Sequence, residues 1–562
     1  MPVSASFLSY TPVALTFGTS GLRGLVDDIT DLEAYINVKG GLRYLLAIGD
    51  VTAGSGVVLG GDLRPSTARI MRASARAIVD VGCTVENAGN VPTPALMLHS
   101  LATRRAGVMV TGSHIPFDRN GIKINRSVGE VLKTDEAGIT REVERVRAEE
   151  YAHDAATSAF TARGMLKDAA AVPLPVVDSS AEERYVRRYV DAFGRGGLAG
   201  LSVLVYEHSA VGRDLVGRIL RELGANVIPA GRAETFIPID TENITDELLA
   251  RLDALVVGAE ATGGSPRVIV STDGDSDRPL VAAVHPADPS SPGSERVQFL
   301  PGDLLGLVVA EYLGADAVAV PISSNDAIER RMTERGVVLE KTRIGSPYVV
   351  ASLDTLARSG SHGRIVGWEA NGGFLLGSAI DVGKAPLAPL PTRDAVLPML
   401  ATLFAAARER VSLSVLWGRL PSRYGRSGLK DNVPVAVSRA ILAALVPPGS
   451  APEVSFGEGD TVTAGTDTLD EHSAAPWRKA RATLARFFTG ELGFGKIARI
   501  NVLDGVRVYF SSGDVAHIRP SGNAPQLRIY ANADSQARAD RIVQLGLDEP
   551  DGILSSLARS FS

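Results

Sequence analysis

The chain has 562 residues, of which 45% are hydrophobic and 22% are charged, and its formal net charge is −6. Single hydrophobic cores rarely grow beyond about 300 residues, so this length predicts three or four domains. The negative charge argues against a nucleic-acid partner. Glu311 and Asp316 interrupt the apolar stretch near residues 304–321, which argues against a membrane span. We therefore expect neither a nucleic-acid nor a membrane partner.

Cys83 is the single cysteine, so an internal disulfide is excluded and a reducing compartment is favoured. Residues 1–15 carry no basic residue before their apolar positions, unlike a secretory signal. Both features predict a cytoplasmic protein. No pattern in the sequence specifies an oligomeric state.

Short valine-rich runs that end in glycine-containing polar loops predict buried parallel strands. They lie at residues 56–59, 106–110, 201–205, 268–270 and 317–320. Helical patterns lie between them, at residues 68–81 and 211–223, and the second leads to a strand near 226–228, which makes a βαβ unit. The alternation recurs in three zones, 15–160, 185–290 and 300–410, which predicts three α/β domains.

The last part of the chain has a different pattern. Residues 506–510 and 515–518 flank a glycine-containing turn and predict a hairpin, followed by a strand at 527–530 and a helix from about Ser535. We expect an α+β domain here. Segments 285–296 and 446–476 are rich in Pro, Ser, Asp and Gly and predict exposed loops or insertions.

A serine follows the predicted strand 106–110, in the sequence Thr111-Gly112-Ser113-His114. Open α/β sheets bind ligands beyond the carboxyl ends of their strands, where a serine hydroxyl can act as a nucleophile or a phosphate carrier. By itself, the pattern is more typical of a turn serine that bonds its own backbone. The sequence is not the G-x-S-x-G of hydrolases.

Three carboxylates alternate in Asp273-Gly274-Asp275-Ser276-Asp277-Arg278, after the predicted strand 268–270. They repel one another unless a cation gathers them, and Gly274 permits the loop to curl. Oxygen-only ligands indicate a hard ion, and Mg²⁺ is favoured. An EF-hand does not fit, because its sixth position would be Arg278.

Two further loops have side chains suited to a sugar phosphate. Glu369 and Asn371 can point the same way and contact neighbouring hydroxyls, although a plain glycine-rich turn explains the pattern equally well in isolation. An anion cradle is predicted by a proline-flanked loop with arginine on both sides. Its residues are Arg519, Ser521, Gly522, Asn523 and Arg528. Arg23, among glycines near the N-terminus, suggests a further cation close to a ligand.

These motifs together resemble the α-D-phosphohexomutase family. The resemblance extends over nearly the whole chain in the expected order. It rests on the Thr19–Gly24, Gly61–Ser66, Val91–Pro94, Thr111–His114, Asp273–Arg278, Glu369–Gly373 and Arg519–Gly522 motifs. It implies three related α/β domains of mixed or parallel sheets and a smaller C-terminal α+β domain. The boundaries that we predict are 1–165, 166–297, 298–412 and 413–562.

The resemblance implies an enzyme that interconverts hexose 6-phosphate and hexose 1-phosphate through a phosphoserine. Ser113 would carry the phosphate and share Mg²⁺ with Asp273, Asp275 and Asp277. Catalytic roles fall to Ser113, His114, Lys123 and Arg23. Substrate-binding roles fall to Arg278, Glu369, Asn371, Arg519, Ser521, Gly522, Asn523 and Arg528. Hexose 1,6-bisphosphate would be intermediate and activator, and the partner is a small phosphosugar.

Mannose is the expected sugar, with glucose also possible, because Thr-Gly-Ser-His is more similar to the phosphomannomutases than to the phosphoglucosamine mutases. The chain departs from the family pattern at Ile115, Asn371 and Ala524. Two alternatives stay open: a phosphoglucosamine-type mutase, and a non-catalytic phosphosugar-binding or regulatory homologue. A metal-dependent phosphatase would leave the Glu369 and Arg519 loops without a purpose.

Overall fold

The computed structural model of the protein describes residues 7–18, 21–168, 173–286, 296–447, 449, 451–520 and 525–561. The chain divides into two compact units. The first comprises residues 1–320 and 345–419, and the second comprises residues 321–344 and 420–562. No helix within the described ranges has both the length and the apolar sequence needed to cross a lipid bilayer.

The first sheet of the first unit is mixed. Its strands in spatial order are Thr16–Gly18, Gly21–Leu25, Arg119–Arg126, Ala106–Val110, Gly56–Gly61 and Thr84–Asn90, with Gly129–Glu130 paired to Arg119–Arg126. Its helices are Asp31–Ala47, Thr67–Asp80, Thr93–Thr103 and Lys133–Tyr151. The strand Ala106–Val110 is parallel to Gly56–Gly61 and antiparallel to Arg119–Arg126. This antiparallel neighbour places Lys123 opposite Met109, beside the strand that leads to Ser113.

The second sheet contains the predicted βαβ unit. Its strands in spatial order are Val297–Phe299, Pro279–Val284, Val268–Thr272, Ser202–Tyr206 and Asn226–Ala230. Its helices are Ser180–Phe193, Arg213–Glu222 and Asp246–Ala261. The strand Ser202–Tyr206 is parallel to both of its neighbours, and the helix Arg213–Glu222 connects it to Asn226–Ala230. The strands Val268–Thr272 and Pro279–Val284 form a hairpin. Residues 273–278, which contain the three aspartates, connect the two strands and are called the metal loop.

The third sheet of the first unit again combines parallel and antiparallel pairs. Its strands include Ala317–Pro321, Ile365–Trp368, Phe374–Leu376 and Leu390–Asp394. A small ribbon joins Ile380–Asp381 to Pro386–Leu387. The helices are Gly302–Leu313, Ser346–Ser359, Val396–Glu409 and Leu413–Trp417. The Glu369 loop connects two antiparallel strands of this sheet.

The second unit is built on an antiparallel sheet. Its strands in spatial order are Tyr424–Lys430, Leu527–Ala533, Val515–Pro520, Val506–Phe510, Ile497–Asn501, Glu453–Phe456, Val462–Ala464 and Asp467–Thr468. The unit also contains the strand Val338–Thr342. Its helices include Ala327–Arg335, Val435–Leu445, Glu471–Ala485, Gln536–Leu547 and Ile553–Ser560. The predicted hairpin is confirmed, with Val506 opposite Ile518. The predicted fold class, α/β regions followed by an α+β region, is therefore confirmed.

The prediction of an exposed loop over 446–476 is wrong. Three strands and the start of the helix Glu471–Ala485 lie in this segment. Val454 and Val462 are buried in the core of the second unit, each 1% exposed. Short strands with single apolar residues are difficult to recognise in a sequence whose surrounding composition is polar. Of the other predicted loop, residues 287–295 lie outside the described ranges.

Candidate active site

Ser113 lies just beyond the strand Ala106–Val110, and its side chain is buried. Its backbone is left-handed, with φ +55°, a conformation that is uncommon outside glycine. The backbone N–H of Ser113 donates to Thr111 Oγ1 over 2.8 Å, and Ser113 Oγ donates to Asp273 Oδ2 over 2.6 Å. Residues 111–119, which contain Ser113, are called the serine loop. The hydrogen bond from Ser113 to Asp273 joins this loop to the metal loop.

A buried ion pair holds the serine loop. Arg64 Nε donates to Asp62 Oδ2 over 3.1 Å, and neither side chain is exposed to solvent. The Arg64 guanidinium also donates to carbonyl oxygens along the loop, those of Ser113, Ile115, Pro116 and Arg119. Its guanidinium carbon lies 4.0 Å from the centroid of the Phe236 ring. Because its donors are fixed in one plane, Arg64 fixes the path of the loop backbone.

Asp273, Asp275 and Asp277 present three buried carboxylates to one point. One oxygen of each lies within 4.8 Å of the others. Asp275 Oδ1 and Asp277 Oδ1 are buried without a hydrogen-bond partner in the described part of the chain. Buried charged oxygens without partners are costly, and a hard cation would satisfy them. The residues present therefore fit Mg²⁺ through donor type and free coordination positions.

The close approach of the two loops depends on Gly274. A Cβ atom at this position would lie 2.6 Å from the Ser113 carbonyl oxygen. Any other residue would push the metal loop away from the serine loop.

Lys123 balances part of the negative charge. It lies on the strand Arg119–Arg126, and its Nζ donates to Asp275 Oδ2 over 2.7 Å and to Asp277 Oδ2 over 3.2 Å. Burial alone would lower the pKa of Lys123, but the two carboxylates outweigh burial and raise this pKa above its ordinary value. Lys123 is therefore an ammonium group at neutral pH.

The carboxylates differ in their tendency to ionise. Burial and the charges of Asp275 and Asp277 raise the pKa of Asp273 well above its ordinary value. Burial would also raise the pKa of Asp275, but the charge and hydrogen bond of Lys123 hold that pKa well below its ordinary value. Asp273 thus ionises less readily than Asp275.

The other predicted cations surround the same point. Arg23 lies opposite Gly121, and its pKa is lowered by burial and by the neighbouring charges of Arg278 and Arg393. Arg278 Nε lies 3.7 Å from Asp277 Oδ1. Burial, with Arg278 and Arg23, lowers the pKa of His114 to about 2, so its imidazole is neutral at physiological pH.

The Glu369 loop follows the strand Ile365–Trp368. Arg393 Nη1 donates to Glu369 Oε2 over 3.0 Å. Asn371 Nδ2 donates to Glu242 Oε1 over 3.1 Å, and Asn371 Oδ1 accepts from the Gly373 N–H over 2.9 Å. The Asn371 amide is thus engaged by protein groups on both sides.

Comparison with known proteins identifies the family. The models described as phosphoglucomutase/phosphomannomutase alpha/beta/alpha domain I, alpha/beta/alpha domain III and C-terminal domain match residues 14–150, 301–424 and 468–545. A phosphomannomutase of Sinorhizobium fredii is 36% identical over 94% of this chain and 98% of its own length. This chain belongs to the α-D-phosphohexomutase family. It is a mutase, an isomerase in class.

A second relative supports this family assignment, and a solved structure has a similar fold. A phosphomannomutase of Salmonella muenchen is 35% identical over 97% of each chain. The solved structure of a phosphoglucomutase/phosphomannomutase family protein from Burkholderia thailandensis has a TM-score of 0.61, covering 97% of this chain and 98% of that one at 18% identity. The latter similarity concerns the fold.

The predicted phosphate loop of the mutase lies in the second unit. Arg519 and Arg528 are directly opposite on the antiparallel strands Val515–Pro520 and Leu527–Ala533. Arg519 Nε donates to Asp504 Oδ1 over 3.0 Å, whereas Arg528 is exposed. The predicted Ser521, Gly522 and Asn523 lie outside the described residues.

Two arginines of the phosphohexomutase site had no role in the sequence-based prediction. Arg64 lies in a motif that supported the family resemblance, but its partners are backbone carbonyls, which leave no pattern in a sequence. Arg393 had no signal, because its place beside the Glu369 loop is set by the pairing of Phe374 with Asp394.

Proposed function

We propose that this mutase interconverts hexose 6-phosphate and hexose 1-phosphate, with mannose as the main sugar and glucose as a second. The observation that carries the proposal is the 2.6 Å hydrogen bond from Ser113 Oγ to Asp273 within the buried carboxylate cluster. The curated relatives named phosphomannomutases are similar to this chain over nearly its full length, which supports mannose.

Ser113, Asp273, Asp275 and Asp277 are the residues that would hold Mg²⁺. A bound Mg²⁺ supplies positive charge that offsets the charge of a phosphoryl group in transit. Asp275 and Asp277 each keep one buried oxygen without a hydrogen-bond partner in the described part of the chain, and Gly274 allows the metal loop to approach the serine loop closely.

In the proposed reaction, the P–O bond to Ser113 Oγ breaks and a P–O bond to a sugar hydroxyl forms, giving hexose 1,6-bisphosphate. The sugar hydroxyl gives up its proton as the new bond forms, and the departing Ser113 oxygen takes up a proton to become a hydroxyl again, so that the reaction is balanced in protons. Lys123 and Arg23 are the cationic groups proposed beside that oxygen. His114 is neutral, so it adds a polar donor or acceptor without further positive charge.

The bisphosphate then turns over within the site, and its other phosphate returns to Ser113. Glu369, Asn371 and Arg278 are proposed to hold the sugar in both orientations. The phosphate that is not reacting would be bound by Arg519, Ser521, Gly522, Asn523 and Arg528. We also propose that the domain boundaries are 1–165, 166–297, 298–412 and 413–562, one predicted motif in each.

The proposal is tested by a side-by-side assay with mannose, glucose and glucosamine phosphates, using wild-type protein and Ser113→Ala. We expect mannose phosphate to give the highest kcat/KM and Ser113→Ala to be inactive, because the phosphate carrier is lost. Free phosphate release would indicate a phosphatase. Sugar binding without turnover, even after priming with hexose 1,6-bisphosphate, would indicate the non-catalytic homologue, and preference for glucosamine phosphate would overturn the sugar assignment.

A further inference from the structure

Arg393 lies at the end of the strand Leu390–Asp394, beside the loop that carries Glu369. Its side chain is 6% exposed. The strand around it is fixed on both sides, because Thr392 Oγ1 donates to Glu130 Oε1 over 2.6 Å and Asp394 accepts from the Tyr185 and Tyr189 hydroxyls. The strand that carries Arg393 is therefore also held by contacts outside the Glu369 loop.

The Arg393 guanidinium connects two carboxylates from different loops. Its Nε donates to Asp277 Oδ2 over 3.1 Å, and its Nη2 lies 2.9 Å from the same oxygen. On its other side, Nη1 donates to Glu369 Oε2 over 3.0 Å. The guanidinium reaches the two carboxylates with different nitrogens held in one rigid plane, whereas an ammonium group would have to reach both from a single atom.

The Glu369 loop leaves space for this side chain. A Cβ atom at Gly373 would lie 2.8 Å from both Cγ and Cδ of Arg393. The glycine after the loop is thus needed for the passage of Arg393 to the two carboxylates.

The contacts of Arg393 also determine which carboxylate oxygens of Asp277 and Glu369 remain outside its hydrogen bonds. Asp277 Oδ2 accepts from both Arg393 and Lys123, whereas Asp277 Oδ1 has no hydrogen-bond partner in the described ranges. The Arg393 contact with Glu369 is made through Oε2, which leaves the Oε1 side of that carboxylate outside the contact. Without Arg393, Glu369 would be a buried carboxylate without its cation, an unfavourable arrangement in which its present position would no longer be held.

We infer that Arg393 is a positioning residue that fixes the Glu369 carboxylate relative to the metal loop. The carboxylate that contacts the sugar hydroxyls is then held at a constant distance from the centre of phosphoryl transfer. This inference rests on the proposed function, in which Glu369 contacts the sugar.

The test is a double-mutant cycle with Arg393→Gln, Glu369→Gln and the double variant, measured by kcat/KM and by the calorimetric Kd for mannose 1-phosphate. A displacement of about 1 Å near the reacting groups costs about 100-fold in rate, so we expect Arg393→Gln to lower kcat/KM about 100-fold. In the Glu369→Gln background, the same change should cost less than about threefold, because residues that act as a unit are not additive.

Arg393→Lys separates charge from geometry, and exposed Arg358→Gln, in the same unit, is the matched control. We expect Arg393→Lys to stay at least about tenfold below wild type, since lysine lacks the fork, and Arg358→Gln to match wild type. The inference would be overturned if Arg393→Lys had wild-type kcat/KM. It would also be overturned if Arg393→Gln lowered kcat/KM by the same factor in the wild-type protein and in the Glu369→Gln variant. Wild-type binding without turnover would instead refute the proposed mutase, while the Kd cycle would still test Arg393.

Discussion

The serine loop and the metal loop meet at one point, but they are held there by different forces. The serine loop is fixed by Arg64, whose guanidinium donates to loop carbonyls and is paired with buried Asp62. The metal loop gathers three buried carboxylates, and Lys123 and Arg393 donate hydrogen bonds to two of them. The first loop is thus complete within the protein, whereas the second keeps uncompensated charge for a cation. Removal of a charged side chain should therefore lower stability at the serine loop, but leave it unchanged or raise it at the metal loop without Mg²⁺.

The largest effect should come from breaking the serine-loop ion pair with Arg64→Met. Asp62 would become a buried charge without its partner, and loss of one member of such a pair costs about 3 to 5 kcal/mol. Urea unfolding would measure this change, with exposed Arg72→Met in the same region as the control. An unchanged unfolding midpoint would show that Arg64 does not hold the loop.

The next effect concerns the metal loop and should have the opposite sign. Mg²⁺ at 100 times its Kd should stabilise the wild-type protein by about 2.7 kcal/mol, because the ion binds the folded state. Thermal unfolding with Mg²⁺ and with a chelator measures the difference. Asp275→Asn should lose most of this gain, and a gain equal to wild type in that variant would contradict the assignment of the triad.

Gly274→Ala tests the junction between the loops. Its Cβ would lie 2.6 Å from the Ser113 carbonyl oxygen, so the loops must separate. Such overpacking costs about 1 to 3 kcal/mol, and turnover should fall further than stability because Ser113 moves away from the carboxylates. Gly258→Ala, where the added Cβ meets no atom within 4 Å, is the matched control. Equal behaviour of the two variants would contradict a tight junction.

The smallest effect on stability should come from Asp273→Asn. Burial and its two acidic neighbours raise the pKa of Asp273, so removal of this charge relieves repulsion in the metal-free protein. We expect stability without Mg²⁺ to stay within about 1 kcal/mol of wild type or to rise, while Mg²⁺ binding weakens. Calorimetric titration with Mg²⁺ and urea unfolding would measure the two quantities. A loss of stability as large as that of Arg64→Met would remove the contrast between the loops.

The sequence predicted what depends on local pattern. The strands before Ser113 and Asp273 were visible as short apolar runs, and the acidic triad was visible from its alternation. Arg393 was missed because its position depends on the pairing of two strands whose register shifts between Phe374 and Leu376. The hydrogen bond from the Asn371 amide to Glu242, a residue distant in sequence, was also not predicted. Such long-range contacts are not encoded in spacing.

The most direct measurement of the central claim is peptide mapping by mass spectrometry after incubation with Mg²⁺ and hexose 1,6-bisphosphate. We expect one phosphoryl group on the peptide that contains Ser113. We also expect that phosphatase or a hexose monophosphate removes this group and that Ser113→Ala lacks it. Turnover of a hexose phosphate by the wild-type protein with no phosphate on Ser113, or with phosphate on another residue, would contradict the account.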